Sequence, residues 1–249
     1  MNKTSKLLLA TLPLIGLAAC NSSDGIGLNV FEPQVRLAHV APGAPNVTLQ
    51  RNGSARAEAT DSAYGFTSNY FNVDTGGADW SVKVASSGAN VGTVNFDSQR
   101  SHKYTVLAVS ESATSYGVAL INDPTNPSIV NDNARVRTFN GSYNAQNIDV
   151  YLGGLDQNIG SLTPDSAGVA FKSSGPGTGV DSLRRRGGTY KVTITPAGSK
   201  TILFQGRFAI LDNKDVLFIT VPNAAANPTG INLLVKVDGD AGAIQVPAI

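Results

Sequence analysis

Trp80-Ser81-Val82-Lys83-Val84 and Tyr190-Lys191-Val192-Thr193-Ile194 are the two stretches that decide the fold of this chain. In both, a large apolar residue alternates with a polar one, so the apolar side chains share one face of an extended backbone. A period of two is typical of a strand that buries one face of an antiparallel sheet and exposes the other. The two stretches therefore predict an all-β protein.

Four further runs support that prediction. Residues 116–121 and 231–237 alternate in the same way, whereas residues 105–109 and 216–221 are almost continuously apolar, which predicts central strands covered more completely. No segment after residue 20 has the spacing of an apolar helical stripe. Turn-forming pairs separate the runs: Asn52-Gly53, Gly76-Gly77, Ser87-Gly88, Gly153-Gly154, Gly187-Gly188 and Asp238-Gly239.

The chain also repeats itself. Val35-Arg36-Leu37 recurs as Val136-Arg137-Thr138, and Gly53 meets Gly154 at the same offset of 101 residues. The strand-like runs described above then recur in the same order in the second half. Matching order over the whole length predicts a duplication.

Several short strands in each copy of about a hundred residues predict two tandem immunoglobulin-like antiparallel β-sandwich domains. The first domain is placed at residues 34–123 and the second at residues 134–249. Residues 124–133 between them are polar and contain Pro124 and Pro127, as is typical of a short interdomain linker.

The N-terminus carries a secretory signal. Lys3 and Lys6 precede an apolar run that is too short to span a bilayer and that leads into Leu17-Ala18-Ala19-Cys20. This sequence resembles a bacterial lipobox, which implies removal of residues 1–19 as a signal peptide and acylation of Cys20. Residues 20–33 would then form a tether, and Asn21, in place of an aspartate, favours the outer membrane if the cell is Gram-negative.

Composition excludes some classes of partner. Residues 1–20 contain two lysines and no acidic residue, so the remaining chain has 17 basic side chains (19 less two) against 18 acidic ones. There is no net basic field to neutralise phosphates, so nucleic acid is not an expected partner. Because Cys20 is the only cysteine, no intramolecular disulfide can form.

The first copy resembles the DUF4397 family. The resemblance rests on the Val-Arg-x-x-His-x-x-Pro-x-Ala-Pro-x-Val pattern that starts at Val35 and on Lys103-Tyr104-Thr105-Val106. The second copy keeps Arg137 but has Asn140 where the histidine would stand. The resemblance implies an exported protein, often lipidated and often in tandem, and it implies no activity because the family's function is unknown.

Catalytic groups are scarce. The chain has two histidines, His39 and His102, no free cysteine after lipidation and no G-x-S-x-G motif. His39 has two interpretations: a ligand or general base, or a ring that ties down the loop containing Pro42 and Pro45. The second is favoured because Asn140 can replace its hydrogen bonds but not a base. We therefore expect no enzyme activity and no cofactor.

Metal and sugar sites are also weakly supported. Two histidines without matching cysteine or glutamate spacing do not make a zinc site. The loop residues whose side-chain oxygens could bind calcium do not have the Asp-x-Asp-x-Asp-Gly spacing; they are Asp212, Asn213, Asp215, Asn131, Asp132, Asn133, Asp238 and Asp240. The aromatic residues are more consistent with core packing than with sugar stacking; they are Tyr64, Phe66, Tyr70, Phe71, Trp80, Tyr143 and Tyr151.

Arg184-Arg185-Arg186 is the densest charge cluster and the candidate binding patch. It would suit anionic lipid or an acidic glycan, although three charges are fewer than lipid recognition usually needs. The alternative is a solvated turn before the strand at Thr189.

Together these features favour a non-catalytic, lipid-anchored envelope protein that binds a protein, matrix or glycan partner at the cell surface. Two alternatives stay open: an accessory subunit of a periplasmic assembly, and an enzyme with a carboxylate or metal site.

The lipobox makes the first testable prediction. Cys20→Ser removes the acylated thiol, so we expect the full-length product to leave the membrane fraction and to lack the mass of the lipid. Fractionation and mass spectrometry of the variant and the wild type measure this. Membrane attachment that persists in the variant would show that the lipobox was misread.

Overall fold

The computed structural model describes residues 31–125, 132–223 and 230–249. These residues form an all-β structure with two three-residue 3₁₀ turns, which confirms the predicted fold class. No helix in these three segments is long and apolar enough to cross a bilayer. The predicted signal peptide and Cys20 lie outside the described residues.

The first half contains eight strands and one 3₁₀ turn (Ala57–Ala59). They form two sheets, β4-β1-β7-β8 and β3-β2-β5-β6, which pack face to face. The strands are β1 (Gln34–His39), β2 (Val47–Arg51), β3 (Ser54–Ala55), β4 (Phe71–Asn72), β5 (Gly76–Val84), β6 (Asn90–Ser98), β7 (His102–Ser110) and β8 (Tyr116–Pro124).

The second half has the same central plan, with a 3₁₀ turn at Ile159–Ser161. Its sheets are β12-β9-β16-β17-β18, with β13 also on β9, and β11-β10-β14-β15. The strands are β9 (Asn133–Asn140), β10 (Ile148–Gly153), β11 (Ser166–Val169), β12 (Ser174–Gly175), β13 (Leu183–Arg186), β14 (Gly188–Pro196), β15 (Phe204–Ile210), β16 (Asp215–Pro222), β17 (Ile231–Val237) and β18 (Ala243–Val246).

The strand order agrees between the halves. β1-β7-β8 corresponds to β9-β16-β17, and β2-β5-β6 corresponds to β10-β14-β15. The β-sandwich prediction is thus confirmed, and its immunoglobulin-like assignment stays a prediction. β8 ends at Pro124 and β9 begins at Asn133, close to the predicted linker limits. Residues 126–131 of that linker lie outside the described residues.

One pairing in each half differs from the antiparallel prediction. β1 runs parallel to β7, with Val35 opposite Tyr104, and β9 runs parallel to β16, with Val136 opposite Val216. Alternation of apolar residues is the same in both kinds of ladder, so the sequence pattern could not separate them. Parallel strands need a long crossover, and here the other sheet of each sandwich supplies it.

Each half has its own apolar core. Trp80 and Tyr104 are buried in the first, and Phe218 and Ile194 are buried in the second. The apolar face predicted for the two deciding stretches is therefore the core face. The opposite faces of the two stretches differ, because Ser81 and Lys83 are partly exposed whereas Thr193 is buried.

A third apolar cluster joins the two halves. It contains side chains from β1, β7 and β8 of the first half and from β9, β16 and β17 of the second. Leu107 and Ile219 are two of its fully buried members. The four sheets therefore stack as layers, and the sheets containing β7 and β16 are covered on both faces. This confirms the prediction that residues 105–109 and 216–221 belong to more completely covered strands.

The turn predictions hold at Asn52-Gly53, where both residues have positive φ, and fail at Gly76-Gly77. Gly76 and Gly77 are the first residues of β5 and pair with Ser98 and Asp97. A Cβ on Gly77 would lie 2.8 Å from an Asp97 carboxylate oxygen. The glycine therefore permits a close cross-strand approach, a known role of glycine within strands.

We expect the third apolar cluster, which joins the two halves, to contribute to the stability of the chain. Ile219→Ala leaves a cavity between the two sandwiches and should lower the free energy of unfolding by about 2–5 kcal/mol. Ile244→Ala, at a side chain that is 55% exposed, is the matched control and should change it by less than about 0.5 kcal/mol. Urea unfolding of both variants measures the difference. Equal, small effects would mean that the sandwiches do not depend on their shared cluster.

Candidate functional site: the charged joint between the sandwiches

Charged side chains replace apolar ones at one end of the interface between the two sandwiches. They lie on the same strand faces as the shared apolar cluster, because residues two apart along a strand share a face. We call this set the joint cluster: Arg36 on β1, Lys103 on β7, Asp123 on β8, Arg135 and Arg137 on β9, and Asp215 on β16.

Ion pairs in the joint cluster cross from one half to the other. Lys103 Nζ lies 2.8 Å from Asp215 and 3.0 Å from Asp238. Other pairs have the carboxylate in the first half and the cations in the second: Asp123 accepts from Arg135 at 2.8 Å and from Arg137 at 2.9 Å. Removing one member of a buried pair leaves an uncompensated charge and typically costs about 3–5 kcal/mol. The joint cluster therefore fixes how the two sandwiches meet.

The pairing keeps these groups charged despite their burial. Burial disfavours the ammonium of Lys103, but the carboxylates of Asp215 and Asp238 outweigh it, so the pKa of Lys103 is raised above 10.5. Burial likewise disfavours the Asp215 carboxylate, but Lys103 and Arg135 outweigh it, so its pKa is lowered below 3.8. A carboxylate held ionised in this way is a weak base, which does not suit it to general acid-base catalysis.

Arg137 also holds a loop against its sheet. Its guanidinium donates to the carbonyl oxygens of Pro176, Gly177 and Val180 and, through Nε, to Ser182 Oγ at 3.3 Å. Ser182 Oγ in turn donates to Asp123 at 2.9 Å. The loop before β13 is thereby fixed over the joint cluster.

Two spaces open at the joint. A small, partly open cavity of about 20 Å³ lies against Arg36, Tyr70, Asp123 and Arg137. A larger open groove of about 520 Å³ lies beside it. Tyr70, Arg135 and Asp215 line both spaces. We call the larger space the joint groove; it is lined by Gln34, Asn69, Tyr70, Lys103, Thr125, Arg135, Asn213, Lys214, Asp215, Asp238 and Gly239.

His39 has the structural role that the sequence favoured. The side chain is fully buried, Nε2 lies 3.1 Å from the Pro45 carbonyl oxygen, and the Ala41 N–H donates to Nδ1. Nε2 therefore carries the proton of a neutral ring. Burial lowers the pKa of His39 below 6.5, and the bond to Pro45 only partly opposes this. The loop containing Pro42 and Pro45 is tied to β1.

Asn140 makes the same two bonds in the second copy. Its Nδ2 donates to the Gln146 carbonyl oxygen at 3.2 Å, and its Oδ1 accepts from the Ser142 N–H at 3.2 Å. The partners stand six and two residues further along the chain, as they do for His39. An amide thus replaces an imidazole at this position. The position needs one hydrogen-bond donor and one acceptor, and it does not need a side chain that can act as a general base.

Arg184, Arg185 and Arg186 lie in β13 at the edge of its sheet, and not in the solvated turn that was the alternative. Successive residues of a strand point to opposite faces, so the three side chains do not form one patch. Arg185 is paired with Asp165, and Arg184 lies 3.8 Å from Asp181. Their role as a binding patch stays a prediction.

The aromatic residues divide between core and surface. Trp80 is fully buried and Tyr151 nearly so. Tyr70 packs in the joint, where the Arg36 guanidinium lies 4.3 Å from the centre of its ring. Tyr64 and Tyr143 are partly exposed, at 38% and 36%, but they lie in different halves.

No group of three metal-binding side chains occurs in the described segments. Of the residues considered for calcium, Asp215 and Asp238 are both paired with Lys103. Asp212 accepts from the Gly187 N–H. Their oxygens thus have other partners in the fold.

Sequence reasoning missed the joint cluster, although one signal was present. Arg36 and Arg137 occupy the same position of the repeat, and Lys103 and Asp215 occupy equivalent positions in β7 and β16 with opposite charge. Complementary charges at equivalent positions indicate that two copies face each other.

One of the comparisons with known proteins gives a match. A family model described as "Domain of unknown function (DUF4397)" matches residues 33–151. This part of the chain is similar to that family. The match covers the first sandwich and continues through β9 into β10, so the likeness of the remaining second half to DUF4397 stays a prediction. A search among curated proteins finds no match.

The role of His39 can be tested by substitution. His39→Asn should keep both hydrogen bonds, as Asn140 does, and should lower the free energy of unfolding by less than about 1 kcal/mol. His39→Ala leaves buried backbone groups unpaired and should cost about 1–3 kcal/mol. Urea unfolding at neutral pH separates the two. A greater loss in His39→Asn than in His39→Ala would contradict this role.

The lowered pKa also predicts a pH effect. The unfolded chain binds a proton near pH 6.5, where folded His39 still resists protonation. Stability from this residue is therefore fully present above about pH 6.5 and falls as the pH drops towards the folded pKa. The loss between about pH 7.5 and pH 5.5 should be smaller in His39→Asn than in the wild type. An equal loss would mean that His39 titrates freely.

Proposed function

We propose that this protein is a non-catalytic, lipid-anchored protein of the bacterial cell envelope that binds a protein, matrix polymer or glycan through the joint groove. The observation that supports a binding role is the groove itself. Residues from both sandwiches line it, and cross-half ion pairs of Lys103 with Asp215 and Asp238 fix its walls. Preformed sites of this kind lose little free energy to ordering when a partner binds.

The chemistry of the groove favours a polar partner. Gln34, Asn69 and Asn213 offer amide groups, and Lys214 adds a cation. Carboxylates and ammonium groups both occur on the walls, so a strongly apolar ligand would have to desolvate charge on binding. A glycan or a polar segment of protein fits this lining best.

The position of the groove suits a protein held close to its membrane. Gln34, the first residue of β1, lines it, so the proposed tether of residues 20–33 enters the fold at this end. A fully extended tether of that length reaches at most about 45 Å. The groove would thus lie within a few nanometres of the lipid.

Two alternatives receive less support. A periplasmic accessory subunit would use the same groove and differs only in location. For an enzyme, a carboxylate would have to be available, but Asp123 and Asp215 are already paired with cations. These pairs favour a binding role.

Site-specific photo-crosslinking in intact cells tests the proposal. A photoreactive amino acid at Asn69, an exposed groove residue, should give a discrete crosslinked species. The matched control is Thr114, which is exposed in the β7–β8 turn at the opposite end of the sandwich. It should not give that species.

The crosslinked species identifies the partner class by mass spectrometry and by its loss after protease or glycosidase treatment. Protease added to intact cells, with a lysed control, then separates surface from periplasmic location. The same species from both positions, or none from Asn69, would contradict binding at the joint groove.

A further inference from the structure

Arg36 and Arg137 stand at the same position of the repeat but have very different surroundings. Arg137 has a carboxylate, three backbone carbonyls and two serine hydroxyls as acceptors. Arg36 is equally buried, at 4% exposed, yet only its Nε has an acceptor, Thr105 Oγ1 at 3.0 Å. Among the described residues no carboxylate makes an ion pair with Arg36 within 4.0 Å, although Arg36 is near enough to Asp215 to help lower the pKa of that carboxyl. The rest of its guanidinium meets the Tyr70 ring and the small cavity.

Positive charge exceeds negative charge around that cavity. Three arginines that line it (Arg36, Arg135 and Arg137) face two carboxylates (Asp123 and Asp215). Both carboxylates are already ion-paired, Asp123 with Arg135 and Arg137 and Asp215 with Arg135 and Lys103. An uncompensated buried charge is costly unless something neutralises it.

The cavity has the size and lining for a single small anion. Its volume is about 20 Å³, enough for one particle of about the size of water. Arg36, Arg135 and Arg137 supply cationic walls, and the carboxylates of Asp123 and Asp215 also line the cavity. Tyr70 and Thr105 share one hydrogen bond, so one of their two hydroxyls has a proton left to donate, whereas Ser182 donates to Asp123. Polyatomic oxyanions such as phosphate do not fit in that volume.

We propose that this cavity binds one monovalent halide-sized anion, chloride in ordinary solution, with the Arg36 guanidinium as its principal ligand. The anion supplies the negative charge that Asp123 supplies to Arg137 in the equivalent position. A water molecule would fill the same space but would leave the excess positive charge in place. The adjoining joint groove, which shares Tyr70 with the cavity, provides the route for exchange.

Thermal unfolding of the purified full chain in chloride and in gluconate at equal ionic strength tests the proposal. Gluconate is too large for the cavity, so both solutions screen surface charge alike while only chloride can bind. At ten times its dissociation constant chloride should raise Tm by about 3–6 °C over gluconate. Bromide should act as chloride does and should appear in the cavity by anomalous scattering from a crystal.

Two variants make the test specific. Arg36→Gln removes the principal ligand and should abolish the difference between chloride and gluconate. Arg207→Gln, at an exposed arginine on β15, should keep that difference in full.

Equal Tm of the wild type in chloride and gluconate across the accessible concentrations would overturn the proposal, as would an undiminished chloride effect in Arg36→Gln. If Arg36→Gln does not fold, the bromide signal in the wild type decides: density at the cavity without anomalous signal identifies water and overturns it.

Discussion

Burial of both faces of the two middle sheets is the constraint on which the rest of this structure depends. A strand in an ordinary sandwich exposes one face to solvent, but β7 and β16 are covered on both faces. Apolar residues therefore fill most positions of these strands. Where a charged residue such as Lys103 or Asp215 does occur, the lost hydration has to be replaced by a partner on the opposite sheet. The joint cluster follows from the layering, because the partners of one sandwich's charges belong to the other.

The duplicated positions show which interactions are local requirements and which belong to the assembly. His39 and Asn140 differ in chemistry but make equivalent bonds to their own loops. That position serves each sandwich separately, so any side chain with one donor and one acceptor satisfies it. Arg36 and Arg137 are identical in chemistry but differ in their partners, because Arg137 has both the loop before β13 of its own half and Asp123 of the other half as acceptors, whereas Arg36 has neither a loop of this kind nor an ion-paired carboxylate. Equivalent positions of the two copies can therefore hold the same residue in different roles, or different residues in the same role.

The strands could be predicted from the sequence, and their stacking could not. Alternation at Trp80 and Tyr190 identifies the core face of each sandwich, and the continuous run at residues 216–221 indicates cover on both sides. Nothing in that run says whether a loop or a second sheet provides the cover. The same limit applies to the parallel β1–β7 pair, because a strand's pattern does not depend on the direction of its neighbour.

The candidate site was missed for a related reason. Charged residues inside apolar strands look like exposed positions when each sandwich is considered alone. Arg36 and Lys103 were therefore not considered as site residues, and Asp215 was considered only as a calcium ligand in a loop. The Arg184-Arg185-Arg186 run drew notice because its charges are adjacent in sequence. On a strand, however, adjacent residues face opposite ways, while residues of different strands meet. Density along the chain was thus a poorer indicator of a site than complementarity between equivalent strands.

A groove with one wall from each sandwich has consequences for any partner. Ion pairs such as Lys103–Asp215 set the separation of the two walls. Contacts that a partner makes in the groove and contacts within the interface therefore both influence how far apart the two sandwiches lie. A partner that prefers that separation stabilises the interface, and by linkage a firmer interface binds it more tightly. The apolar cluster and the joint cluster then contribute to binding without touching the partner. A single sandwich would offer only half of the lining, which gives a physical reason for two copies in one chain.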